Sequence, residues 1–372
     1  MVRALEALGI GIKTRWDQRQ LVVSGCANRL PSSAAQLNLA GSGTSIRFLS
    51  ALVATGSGEF TLDGNERMRK RPIGDLLNAL DCLGARASSA DGCPPVHIQA
   101  DGLRGGSIAL KGNLSSQYLS GLLMAAPAAR GEVEIEIVGP LVSKPYINMT
   151  ITVMHAFGVE AEQLAENCFR VPHPQSYQAT EYEIEPDASA ASYFWATAAI
   201  TGGEVLVEGL CRESLQGDVA FCDALQKMGC QVEYGERGIT VRGGKLHGID
   251  IDMNAISDTA QTLSAVALFA EGTTTIRGIG HVRHKETDRI GNLATELRNL
   301  GAEITEMPDG LQIVPRALQG GEVHTYDDHR MAMSLSLVGL RVPGVTILDP
   351  TCTKKTYPEF FDDLERLTAS AN

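Results

Sequence analysis

Two kinds of helical pattern alternate along this chain. The first is amphipathic and ends in a glycine: ALEALG to Gly9, NALDCLG to Gly84, TVMHAFG to Gly158, CDALQKMG to Gly229 and TELRNLG to Gly301. Successive glycines lie 75, 74, 71 and 72 residues apart. The second kind is apolar almost all the way round: SIRFLSALVAT near 45, SQYLSGLLMAA near 116, ASAASYFWATAAI near 188, DTAQTLSAVALFA near 258 and HRMAMSLSLVGL near 329. A helix without a polar face has to be buried. Each is followed by a glycine-led strand pattern, at Gly58, Gly131, Gly203, Gly272 and Gly344. Each strand then runs on into the next amphipathic helix.

One unit is therefore about 72 residues long: buried helix, strand, amphipathic helix, then further strands. Alternating β and α at this length predicts an α/β fold. The period is too long, and the copies too few, for an open solenoid. Three units per domain fit the usual domain size. A boundary near 184 gives domains of 1–184 and 185–372. Met1 stands inside a helix of the first kind, so the periodicity predicts roughly 50 to 60 further residues upstream of it.

Composition narrows the function classes. The net charge of −12 and a pI of about 5.2 argue against a general nucleic-acid or membrane surface. A hydrophobic content of 44% with mean hydropathy near zero predicts a soluble globular protein. The sequence has neither a signal-peptide pattern nor an apolar run of membrane-spanning length. Eight cysteines, at 26, 82, 93, 168, 211, 222, 230 and 352, form no CxxC pair and read as reduced, cytosolic core residues. The histidines show no metal-ligand spacing; His281 and His284 read as surface or ligand-facing. No metal site is expected.

The cations are clustered, and the clusters fall where helices begin. The densest stretch is Lys285-Glu286-Thr287-Asp288-Arg289, between a strand pattern (273–278) and a helix pattern (290–300). A helix start exposes unpaired N–H groups and a partial positive charge, so added cations make an anion site. Glu286 beside them could move a proton. The same placement recurs at Gly41-Ser42-Gly43-Thr44 with Arg47, Arg67 to Arg71, Ser115-Ser116-Gln117, Ser143-Lys144-Pro145-Tyr146, Asp187, Asp218, Asp258, Asp328-His329-Arg330 and Lys354-Lys355-Thr356. Taken singly, Ser115, Thr287, Asp288 or Asp258 could each be a plain helix cap, and the Met68–Gly74 run a solvated turn. Pseudo-symmetric packing of the repeats would instead bring these starts to equivalent places.

The motifs LAGSGTSIRF, ERMRKRPIGDLLNAL, GNLSSQYLSGLLMAAP, LVSKPYINMT, DASAASYF, HVRHKETDR, TYDDHRMAM and DPTCTKKTYPEFF together resemble the 5-enolpyruvylshikimate-3-phosphate synthase family, over essentially the whole chain. The resemblance implies a two-domain enolpyruvyl transferase fold, an inside-out α/β barrel built from βαβαββ-type units, closing over the substrates. It implies transfer of the enolpyruvyl group of phosphoenolpyruvate to the 5-hydroxyl of shikimate 3-phosphate with release of phosphate. It implies no cofactor, a cytoplasmic location and, by default, a monomer.

By motif, Ser115, Ser116, Ser143 and Tyr146 are similar to shikimate-phosphate ligands, with Gln117 along the substrate ring. Arg67, Arg289, Arg330 and Lys355, with the Gly43-Thr44 backbone, resemble a phosphoenolpyruvate clamp. Asp258 resembles the group that takes the hydroxyl proton. Glu286 resembles the proton-transfer residue at the methylene, with Lys285 and His329 nearby. Three departures stand out: Gly41-Ser42 where the family usually has asparagine before alanine or serine, Phe48 after Arg47, and His281 where some members have asparagine. They predict altered sensitivity to the phosphoenolpyruvate mimic glyphosate. The family's Lys-Ser-x-Ser-x-Arg segment would precede residue 1, so the chain alone is expected to turn over weakly or not at all. The competing readings are a non-catalytic shikimate-phosphate-binding remnant and the sister transferase acting on UDP-N-acetylglucosamine.

Overall fold

A parallel strand pair needs a long crossover, whereas an antiparallel pair needs only a tight turn. That difference shapes each repeat. In a computed structural model, which describes residues 1–369, strands Ala34–Asn38 and Ser57–Asp63 pair in parallel, from Ala34 opposite Glu59 to Asn38 opposite Asp63. The apolar helix Gly43–Ala54 is their crossover. The amphipathic helix Gly74–Cys82 follows, and a hairpin of Arg86–Ser89 and Val96–Asp101 then closes the sheet. The spatial order is first, second, fourth, third strand.

The same βαβαββ order recurs twice with the same sheet topology. One copy uses Gly106–Lys111, Val133–Val138, Glu162–Ala165 and Cys168–Val171. The other uses Asp250–Asp252, Thr274–Arg277, Glu303–Met307 and Gly310–Val314. Parts of the pattern appear elsewhere. Glu204–Glu208, Gln231–Tyr234 and Gly238–Arg242 make a three-stranded antiparallel sheet. Gly321–Val323 and Val345–Ile347 make a parallel pair around helix His329–Ser336. Ile12–Arg15 and Gln20–Val23 form a hairpin after helix Val2–Ala7. The chain divides into two units, Met1–Glu183 and Ile184–Asn372.

Each unit has its own core. Strand alternation puts one sheet face there: Val96, Ile98 and Ala100 are buried, while His97 and Gln99 are exposed. The apolar helices fill the middle. In the second unit these are Ala188–Thr201, Ala260–Ala267 and His329–Ser336. Tyr193, Trp195 and Ile200 on the first of them are buried. Three buried hydroxyls, one per helix, join them: Ser192 to Thr262 at 3.2 Å and Thr262 to Ser334 at 3.3 Å. They are separated by 70 and 72 residues, one repeat each. A buried hydroxyl needs a partner, and these supply one another while their small size lets the helices approach closely. Ser50 and Ser120 stand at the corresponding place in the first unit.

The cysteines correct one expectation. All eight are unpaired, but only Cys222, Cys230 and Cys352 are buried, and Cys82 and Cys211 are exposed. Position on an amphipathic helix does not fix which face a residue takes, and Cys82, the last residue of its helix, is turned outward. Among the described residues, no helix is long and apolar enough to cross a membrane.

Candidate active site

In the second unit, the Lys285–Arg289 stretch is irregular backbone between the helical turn Gly280–His284 and helix Gly291–Asn299. Asp288 caps that helix: its Oδ1 accepts from the N–H groups of Ile290 at 3.1 Å and Gly291 at 3.0 Å. The neighbouring cations are directed at carboxylates distant along the chain, Asp258 in the same repeat and Asp328 in the next. Asp258, at the end of the helical turn Asn254–Thr259, does not cap. It accepts from Lys285 Nζ at 2.5 Å, Arg289 Nη1 at 3.3 Å and Arg330 Nη2 at 2.9 Å. Glu286 bridges Arg289 Nη2 at 2.9 Å and Lys355 Nζ at 2.6 Å. Asp328 accepts from Arg289 Nε at 2.7 Å and Nη2 at 3.2 Å, and it caps helix His329–Ser336 through the Arg330 N–H at 2.9 Å.

Four cations thus meet three carboxylates. The network has a buried floor and a reachable rim. Arg289 and Asp328 are 2% and 0% exposed, whereas the Lys285, Glu286 and Lys355 side chains are 24%, 15% and 29% exposed. Burial pushes the Asp258 carboxyl up, but Arg330, Lys285 and Arg289 together outweigh it and hold it well below the usual range. Burial lowers the Lys285 ammonium, with Asp258 opposing. Burial also acts against the Arg289 guanidinium, and Asp328, Glu286 and Asp258 more than restore it. Arg330 Nη1 reaches the hydroxyl of the fully buried Tyr193 at 3.3 Å.

Two buried histidines flank the network. His281 Nε2 is 3.0 Å from Ser257 Oγ, and burial, then Lys285, lowers its pKa to about 4. His329 is lowered to about 3 by burial and by Arg330. Its Nδ1 is buried without a hydrogen bond, 3.6 Å from Asp328 Oδ1. Both are neutral imidazoles at pH 7. His281 is therefore buried, in contrast to the surface placement that was one reading of its sequence position. Among the described residues, no group of three or more His, Cys, Asp or Glu is placed to hold a metal ion.

The first unit has a second polar cluster. Ser115 caps helix Ser116–Ala125, its Oγ accepting from the Gln117 N–H at 3.3 Å. Gln117 joins two helices: its Nε2 donates to Thr44 Oγ1 at 2.9 Å and its Oε1 accepts from Arg47 Nη1 at 2.7 Å. Arg47 is buried and lies over the Tyr118 ring at 5.4 Å. Gly43 opens helix Gly43–Ala54 directly against the buried Arg71 guanidinium, where a Cβ would lie 2.5 Å from Nη2. Ser116 is buried at the first position of its helix. Ser143 is buried with φ +56, just before helix Pro145–Ala156, whose first turn carries the half-buried Tyr146. Arg67 is half-buried ahead of the turn Met68–Lys70.

Asp258, Lys285, Glu286, Arg289, Arg330 and Lys355 thus form one ion-pair network, and Thr44 meets Gln117. Side chains of Ser42, Ser115, Asp187 and Asp328 each cap a helix start through one N–H group. The sequence places Arg47, Arg71 and Asp328 in clusters at helix starts but gives them no individual role, and it does not point to Tyr193 or Ser257. A charged residue inside an apolar helix, as in SIRFL, was the available signal for Arg47.

The family model described as EPSP synthase (3-phosphoshikimate 1-carboxyvinyltransferase) matches residues 1–364. The chain belongs to the EPSP synthase family. A 3-phosphoshikimate 1-carboxyvinyltransferase of Nostoc punctiforme is 48% identical over 362 residues, 96% of this chain and 85% of the relative. One from Aliivibrio fischeri is 47% identical over 373 residues, 99% of this chain and 88% of the relative. A solved EPSP synthase structure from Acinetobacter baumannii superposes with a TM-score of 0.78 at 27% identity, covering 98% of this chain and 86% of that one. The two-domain α/β fold expected of the EPSP synthase family is the fold found.

Proposed function

We propose that this chain transfers the enolpyruvyl group of phosphoenolpyruvate to the 5-hydroxyl of shikimate 3-phosphate, as a 3-phosphoshikimate 1-carboxyvinyltransferase of aromatic amino acid biosynthesis. The observation that supports the chemistry best is the Asp258 carboxylate gripped by Lys285, Arg289 and Arg330. Both substrates are polyanions, and a cationic network with one more positive than negative group suits them. Bidentate arginines fit carboxylate and phosphate geometry.

In this reading Arg289, Arg330 and Lys355 hold phosphoenolpyruvate. Ser115, Ser116, Gln117, Ser143 and Tyr146 hold shikimate 3-phosphate. Arg67 and the Gly43-Thr44 N–H groups neutralise anionic groups presented to the first unit. While three cations hold it, Asp258 is a poor base. An incoming phosphate or carboxylate competes for those cations, so substrate binding itself raises Asp258's basicity.

The steps balance as addition and elimination. The 5-hydroxyl oxygen bonds to C2 of phosphoenolpyruvate as Asp258 takes its proton. Glu286 enters this step as the protonated acid, once Arg289 and Lys355 turn to the substrate, and delivers its proton to C3, turning the methylene into a methyl group. Lys285 and the neutral His329 stand beside it. In the second half C3 returns a proton to Glu286, the C2–O bond to phosphate breaks, and the departing phosphate takes up the Asp258 proton. Reversible protonation of C3 predicts that product formed in deuterated water carries deuterium at C3. Product without that label would contradict the role given to Glu286.

A further inference from the structure

The turn leading into helix His329–Ser336 is strained. Tyr326 and Asp327 are consecutive non-glycine residues in the left-handed region, each with φ +55. Side chains of this kind adopt that region only where surrounding contacts over-determine it. The turn is closed by the Asp328 N–H donating to Thr325 O at 2.9 Å. It delivers Asp328, whose two oxygens take Arg289 and the Arg330 N–H. An altered turn would therefore move both arginines.

Glu296 holds this turn from outside. It is fully buried on helix Gly291–Asn299. One oxygen accepts from the His324 N–H at 3.1 Å and the other from the Tyr326 hydroxyl at 2.6 Å. Burial, then the bond to Glu296, pushes the Tyr326 hydroxyl up to about 12, so it remains a donor at working pH. The helix that carries Glu296 begins just after Arg289. Arg289 lies two residues ahead of that helix, so the support for the Asp328 turn starts close to one of the arginines that Asp328 holds.

We propose that Glu296 is a positioning residue for the anion-binding arginines, acting through the Tyr326 hydroxyl and the His324 N–H to hold the left-handed turn that fixes Asp328, Arg289 and Arg330. A buried carboxylate that served stability alone would have no reason to affect one substrate more than the other. The inference rests on the reading that Arg289 and Arg330 hold phosphoenolpyruvate.

Three variants test it by steady-state phosphate release with each substrate varied in turn. Tyr326→Phe removes only a hydroxyl, from a residue that is 38% exposed. Glu296→Gln keeps size and shape. Glu296→Gln with Asp327→Gly also relieves the backbone strain, since glycine adopts φ > 0 freely. In the first two, the KM for phosphoenolpyruvate should rise roughly tenfold, the scale of a lost hydrogen bond to a charged group, while the KM for shikimate 3-phosphate holds within about twofold. The thermal midpoint of Tyr326→Phe should fall by only about 3 °C, and the added glycine should restore most of the loss in KM. Unchanged constants in both single variants would overturn the proposal, as would a parallel change for both substrates that the glycine does not rescue. If the unaltered chain releases no phosphate, the functional reading has failed, and the proposal is judged by amide exchange. The Arg330 N–H should then exchange faster in Glu296→Gln, and an unchanged rate would overturn it.

Discussion

Arg330 Nη2 donates to Asp258 Oδ2 at 2.9 Å, and the two residues are 72 positions apart, one repeat. Each stands at the start of a buried helix of its own repeat. The duplicated architecture therefore places an acid from one repeat against a base from the next. Replacing Asp258 by Asn should lower kcat at least about a hundredfold, the scale of a lost proton-transfer group. It should leave the KM for phosphoenolpyruvate no worse, because Lys285, Arg289 and Arg330 are relieved of a competitor. Initial rates of phosphate release check both. A rise in KM without a fall in kcat would remove Asp258 from the chemistry.

Arg289 and Asp328 form the buried floor of that network, 2% and 0% exposed. Arg289→Ala leaves Asp328 charged and uncompensated, and breaking a buried pair in this way costs about 3–5 kcal/mol. Arg289→Lys should recover little, because one ammonium cannot reproduce the Nε and Nη2 contacts made together. Denaturant unfolding of the two variants checks this, and a stable Lys variant would contradict it.

The buried histidines set a pH window for stability. The folded values are about 4 for His281 and about 3 for His329, against 6.5 for the free side chain. As pH falls below 6.5 the unfolded chain gains protons that the folded chain refuses. Stability is then complete above 6.5 and declines as pH falls, until it reaches about 4 for His281 and about 3 for His329. Each histidine contributes a slope of about 1.4 kcal/mol per pH unit. Asp258, whose folded value is also lowered, contributes stability that is lost only below about 3.8. His329→Gln should therefore flatten the decline between pH 6 and 4 by about half. Urea unfolding across that range checks it, and an unchanged slope would contradict it.

In the first unit, a methyl group at Gly43 would meet the Arg71 guanidinium at 2.5 Å. The buried arginine must then move, since no ordinary carbon contact is that short. Gly43→Ala should raise the KM for phosphoenolpyruvate several-fold, by roughly the loss of one charge-assisted contact, with little effect on folding. The KM and the thermal midpoint measured together check this, and an unchanged KM would contradict it.

The repeat could be seen in the sequence because each copy needs the same physical features. Buried helices such as Ala188–Thr201 must be apolar all round, and the turns after the amphipathic helices need φ > 0, as at Gly84 (+102) and Gly229 (+110). Side-chain pairing was not visible in this way. Nothing local announces that Lys355 will meet Glu286, 69 residues away, or that Gln117 will join Thr44 to Arg47. Asp328 caps its own helix, and its second task, holding Arg289, depends on a contact 39 residues distant. Glu296 sits within an unremarkable amphipathic pattern, TELRNLG, and only burial reveals it.

The most direct test of enolpyruvyl transfer is phosphate release by the 372-residue chain, measured with both substrates, with each alone, and in Asp258→Asn. The account predicts release, at whatever rate, that requires phosphoenolpyruvate and shikimate 3-phosphate together and is lost in the variant. A folded chain that binds shikimate 3-phosphate yet releases no phosphate from the pair would contradict it and leave a binding protein in place of a transferase.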